Sequence, residues 1–136
     1  MPAHSNEFPW TSYYGSYKFF EDRMLFHSKV SSTQNTGDGL YEITLDEGRN
    51  IIVFICECYS FGLAEYYETI ENLGKIHAVI INSNWCGYTT EAKHYCREHG
   101  VGLFNIGEFM AALNIKNFWE YLTEQEKKHF KANGWL

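Results

Sequence analysis

Apolar positions recur at intervals of three and four from Tyr17 to Phe26, with Tyr17, Phe20 and Met24 on one stripe and Phe19 and Leu25 beside it. That period predicts a short helix. Before it, residues 1–15 mix Pro2, Pro9 and Gly15 with Phe8, Trp10, Tyr13 and Tyr14 and show neither the helical nor the strand period, so an irregular aromatic arm is expected. Ser31 to Gly39 is a cluster of turn-forming residues and reads as a loop. Leu40 to Leu45 and Asn50 to Tyr59 are rich in Ile, Val, Phe and Tyr and are separated by Asp46, Glu47, Gly48 and Arg49, the pattern of a β-hairpin. The second run is apolar on both faces, as a central strand requires. A helix is expected next over GLAEYYETIENLG, with Leu63, Tyr67, Ile70 and Leu73 inward, Glu65, Glu68 and Glu71 outward, and Gly74 at its end.

His77 to Asn82 then predicts a short buried strand. A loop from Ser83 to Tyr88 follows, then a helix opening at Thr89 that buries Ala92, Tyr95 and Cys96 and stops at Gly100. Val101 to Ile106 reads as another strand and Glu108 to Leu113 as another helix. Thr123 with Glu126 three residues on is a capping box for a last helix closing at Gly134. Strands alternating with helices imply parallel pairing with right-handed crossovers. The expected fold is therefore α/β, a mixed β-sheet in which an antiparallel hairpin is followed by parallel β-α units, with helices on both faces.

The 136 residues fit one domain, with the arm at 1–15, a core at 16–113 and a helical tail at 114–136. Apolar residues make up 45% of the chain, enough for a packed core and against global disorder. The longest apolar run, Ile51 to Cys56, is far too short to span a bilayer, and the first residues lack the basic and apolar stretches of a secretory signal. A cytoplasmic protein without a membrane partner is the expectation. Cys56, Cys58, Cys86 and Cys96 then read as free packing thiols, since their spacing matches no common zinc-ligand pattern. Net charge is −6, the reverse of the basic stripe typical of nucleic-acid binders. The one basic cluster, Lys127, Lys128 and Lys131, fits the end of a helix as well as it fits a phosphate contact. Phe118 and Trp119 are suited to anchoring the tail on the body or on a second copy of the chain.

Two stretches carry a family resemblance. GDGLYEI, at 37–43, followed by VFICECYS at 53–60, resembles the Gly-Asp-Gly-Gly-Ile-Asp and Gln-Cys-Lys-Arg-Tyr motifs of the Mrr-type branch of the restriction-endonuclease-like superfamily. AVIINSNWCGYTTEAKHYCREHGVGLFNIGEF, at 78–109, is similar to that branch's strand, Thr-rich loop, Glu-Ala helix and final short strand. The resemblance implies a Mg²⁺-dependent DNA endonuclease fold. In it, an acid on the first hairpin strand and an acid or amide on the second hold the metal, and a lysine two residues further on activates water.

Carried onto this chain, the resemblance puts Glu42 at the first metal-binding acid, Ile55 at the second ligand and Glu57 at the lysine. Ile55 has no oxygen to offer a cation, and Glu57 reverses the charge that should face phosphate. Glu42 and Glu57, with Asp38, are then the candidate metal and catalytic residues, expected to meet on one face of the hairpin. Bland readings stand beside them: Asp38 suits a turn and Glu42 the solvent face of an edge strand. Glu57, in an apolar run, calls for a polar pocket. The expected protein is a catalytically weak or inactive member of the superfamily, acting as a binding or regulatory subunit in nucleic-acid processing or defence, with DNA or a protein as partner. An active Mg²⁺-dependent endonuclease and a purely structural interaction module are the alternatives.

Overall fold

The computed structural model describes residues 7–12, 14–84 and 86–136, so the expectations for residues 1–6, Tyr13 and Trp85 lie outside the described residues. The chain runs α1 (Tyr14–Leu25), β1 (Val30–Gly37), β2 (Leu40–Leu45), β3 (Asn50–Cys56), β4 (Ser60–Phe61), α2 (Leu63–Leu73), β5 (Ala78–Ile81), β6 (Gly87–Tyr88), α3 (Thr90–Glu98), β7 (Gly102–Asn105) and α4 (Ile106–Ala112). A 3-10 turn (Phe118–Glu120) and α5 (Glu124–Ala132) complete it. The main sheet has the order β1-β2-β3-β5-β7. β1, β2 and β3 pair antiparallel, and β3, β5 and β7 pair parallel. The fold is thus α/β with a mixed sheet, and β4 and β6 form a separate two-stranded patch.

Strand alternation sorts the side chains into two layers. On one face Tyr41, Ile43, Ile51, Val53, Ile55, Ala78 and Ile80 pack against Phe20 and Met24 of α1 and Phe109 and Ala112 of α4. On the other, Phe54, Cys56, Val79, Ile81 and Leu103 pack against Tyr66 of α2 and Ala92 and Cys96 of α3, with Trp10 at the margin. Each fully buried side chain of this size contributes roughly 1.5–3 kcal/mol, which is why the two apolar runs IIVFIC and AVII sit at the sheet centre. Phe118 anchors the tail on the first layer.

Three expectations need correction. Ser31 to Gly39 is largely the outer strand β1, not a loop. It lies at the sheet edge, where its polar side chains face solvent and pairing with β2 supplies its order, and only Gly37, Asp38 and Gly39 form the turn. The buried side of α2 is centred on Tyr66 and Thr69, while Tyr67 is exposed. Thr69 tolerates burial because its hydroxyl donates to the Glu65 carbonyl at 2.8 Å. In α3 the buried positions are Ala92, Lys93 and Cys96, and Tyr95 is only half-buried. The capping box at the chain end forms as expected: Thr123 Oγ1 accepts from the Glu126 amide and Glu126 Oε1 from the Thr123 amide.

Cys56, Cys58 and Cys96 are buried free thiols and Cys86 is half-buried. Burial raises all four above the ordinary thiol value, Cys58 and Cys96 to about 12, so none is poised as a thiolate nucleophile. Cys96→Ala is expected to destabilise by about 1 kcal/mol or more through the cavity it leaves. Urea unfolding checks this, with zinc content by mass spectrometry unchanged.

Candidate functional site

Parallel register brings Cys56, Ile81 and Asn105 level at the carboxyl ends of β3, β5 and β7. In sheets of this kind, ligands bind in the crevice outside those ends. Here a cavity of about 610 Å³ opens there, and the first turns of α1 close its far side. Its polar wall comes from Ser16, Glu57, Asn82, Ser83, Asn84 and Cys86, and its apolar wall from Phe19, Ile81 and Ile106.

Glu57 follows the last residue of β3 and is only 1% exposed. Its carboxylate Oε1 accepts from Ser16 Oγ at 3.1 Å, and its amide donates to the Trp10 carbonyl at 2.8 Å. Asn82, one residue past β5, donates from Nδ2 to the Ser16 carbonyl at 2.9 Å. The ends of two central strands thus hold the first turn of α1 through Ser16. Trp10 is buried and adopts φ +48, in the left-handed region that costs a residue with a Cβ roughly 1–2 kcal/mol. Ring contacts to Phe8 at 5.4 Å and Phe61 at 5.9 Å, together with the bond from Glu57, hold it there. The arm therefore crosses the end of β3 directly beside the cavity. The pocket expected around Glu57 is present in this arrangement, and Ser16 and Asn82, which the sequence did not single out, complete it.

The other candidate residues lie elsewhere. Glu42 pairs with Gln34 on β1 and Ile52 on β3, so it shares the sheet face of Ile52 and Phe54 and is exposed. Glu57 is held on the α1 side, the face of Tyr41, Val53 and Ile55. The expected meeting of Glu42 and Glu57 is corrected by this register: the two carboxylates are on opposite faces and do not form a shared metal site. Asp38 sits in the exposed β1–β2 turn at φ +56 and does not line the cavity. Ile55 is fully buried in the α1 layer. Among the described residues, no group of three or more His, Cys, Asp and Glu is arranged to hold a metal ion, and the described cavity lining contains no Lys or Arg.

A second polar cluster lies inside the molecule. Lys93 is 1% exposed; its Nζ donates to the Leu103 carbonyl at 2.6 Å and lies 3.9 Å from the centre of the Phe104 ring. The Tyr88 hydroxyl lies 2.7 Å from both Glu108 Oε1 and Glu126 Oε2. These same glutamates cap α4 and α5, accepting from the Asn105 amide at 2.9 Å and the Thr123 amide at 3.0 Å. Burial pushes the Lys93 ammonium down to about 8, against the pull of Glu126 and Glu108. Burial, reinforced by both carboxylates, pushes the Tyr88 hydroxyl up. The cluster fastens three helices and the β6 patch together, and Lys93 does not line the cavity.

No protein-family model, no curated protein and no solved structure matches this chain.

Proposed function

We propose that the chain is a restriction-endonuclease-like domain that binds rather than cuts, acting as a binding or regulatory subunit in nucleic-acid processing or defence. The observation that carries this reading is Glu57, a buried carboxylate in the cavity wall at the position where the Mrr-type resemblance calls for a lysine. The run from α1 through the three antiparallel strands into the parallel β-α units supports the resemblance. Phosphodiester hydrolysis needs positive charge on the phosphate and a group that generates hydroxide. Glu57 supplies neither, and Glu42 lies across the sheet from it.

Supercoiled plasmid incubated with the protein in Mg²⁺ or Mn²⁺ is expected to stay intact. Glu57→Lys alone is expected to leave it intact too, because the acid on β2 remains on the opposite face. Efficient cleavage by the unaltered protein, abolished by Glu57→Gln, would overturn the reading in favour of an active endonuclease.

A further inference from the structure

We propose that the cavity at the carboxyl ends of β3, β5 and β7 binds an organic cation, a guanidinium or amine head on an apolar stem, with Glu57 as its counter-ion. The proposal rests on the non-cleaving reading of this same site and names its ligand class.

Charge decides first. Glu57 is the one Asp or Glu in the described lining and no Lys or Arg offsets it. Arg23 is the nearest candidate, but it stacks on the Phe19 ring with 4.7 Å from guanidinium to ring centre and does not itself line the cavity. The amino end of α1 faces the cavity through Gly15 and Ser16 and brings positive character, equivalent to roughly half an elementary charge. That leaves the formal −1 of Glu57 incompletely balanced. A phosphate entering here would meet that carboxylate at close range in a poorly solvated wall, whereas a cation is attracted by it. The overall charge of −6 acts in the same direction at longer range.

Hydrogen-bonding chemistry agrees. Ser16 Oγ uses its hydrogen on Glu57, so what it offers a ligand is an acceptor. Asn82 commits its amide nitrogen to the Ser16 carbonyl, leaving the side-chain oxygen to accept. A carboxylate beside acceptor oxygens complements a head group made only of N–H donors, and a planar guanidinium is the best-shaped such head. Phe19, Ile81 and Ile106 give the stem an apolar wall, and about 610 Å³ is ample for a small organic molecule or a single inserted side chain.

The test uses the full chain labelled with ¹⁵N and titrated separately with n-butylguanidinium, its neutral relative n-butylurea, inorganic phosphate, and a blocked Gly-Arg-Gly peptide. Butylguanidinium is expected to shift the side-chain amide signals of Asn82 and Asn84 and to bind about tenfold or more tightly than butylurea, as a charge-assisted bond predicts. Glu57→Gln should remove that preference while the remaining spectrum stays native. Peptide binding as strong as that of the free guanidinium would assign the ligand to an arginine side chain of a partner; exclusion of the peptide would assign it to a free small molecule. Equal binding of butylurea, stronger shifts from phosphate, or shifts confined to the acidic surface of α2 would overturn the proposal. The comparison of the four probes on the unaltered protein stands even if Glu57→Gln fails to fold. Failure here leaves the plasmid result untouched, and plasmid cleavage would instead strike at the non-cleaving reading.

Discussion

Gly39→Ala is expected to destabilise the protein by about 3 kcal/mol, the left-handed backbone penalty added to overpacking in a closed space. Gly39 has φ +84, and a Cβ built on it would lie 2.5 Å from the carbonyl oxygen of Ile55 and 3.3 Å from the Phe54 ring. The oxygen belongs to the backbone of the central strand, and the Ile55 amide donates to the Gly39 carbonyl at 2.8 Å, so neither partner can withdraw without breaking the β2–β3 contact. Gly37, two residues earlier in the same turn, has φ +99 with nothing within 4 Å of the added carbon. Gly37→Ala should therefore cost about 1 kcal/mol, the backbone penalty alone. Urea unfolding of the two variants separates the contributions. Equal losses would show that the approach of Gly39 to β3 is looser than described.

That turn also marks where sequence reasoning stopped short. The hairpin, the parallel β-α units and the capping box at Thr123 were legible because each has a period or a short-range chemical signature. β1 was not, because a strand at the sheet edge needs no apolar alternation, and Ser31 to Thr36 carry the same residue types as a loop. The site was half legible. An acid in the run IIVFICEC had to find a polar pocket, and Glu57 does, in a wall built from α1 and the end of β5. Its relation to Glu42 depended on register, which composition does not reveal. The pairing of Thr44 with Asn50 and Ile43 with Ile51 puts Glu42 opposite Ile52, and one residue's difference in register reverses the face. Ser16 escaped notice because its role comes from the distant ends of β3 and β5. The burial of Lys93 escaped for the same reason: the Leu103 carbonyl, the Phe104 ring, Glu108 and Glu126 are brought to it by three later elements.

Lys93 gives the second large effect, and it appears as pH dependence. The unfolded chain holds the lysine proton up to about its ordinary 10.5, while in the folded protein burial lowers that value to about 8. Between these values the unfolded state binds more protons, so this group's contribution to stability rises with pH across the window. The penalty for a buried ammonium is fully present below pH 8 and gone above 10.5. A shift of this size corresponds to about 3 kcal/mol. The whole protein will not simply become more stable in alkali, because Cys58 and Cys96 are held protonated to about 12 against an ordinary 9.0, and Tyr66 to about 12 against 10.0. For these acids the unfolded state loses protons first, so their contributions fall as pH rises through the same range. Lys93→Met separates the opposing trends, since it removes the ammonium, keeps much of its volume, and leaves the thiols and Tyr66 in place. Its stability relative to the unaltered protein is expected to drop by about 3 kcal/mol between pH 7 and pH 10.5, whatever constant offset follows from losing the bond to the Leu103 carbonyl. Chemical denaturation of both proteins across that range measures the difference, and a difference independent of pH would mean that the Lys93 ammonium is not held in a desolvated site.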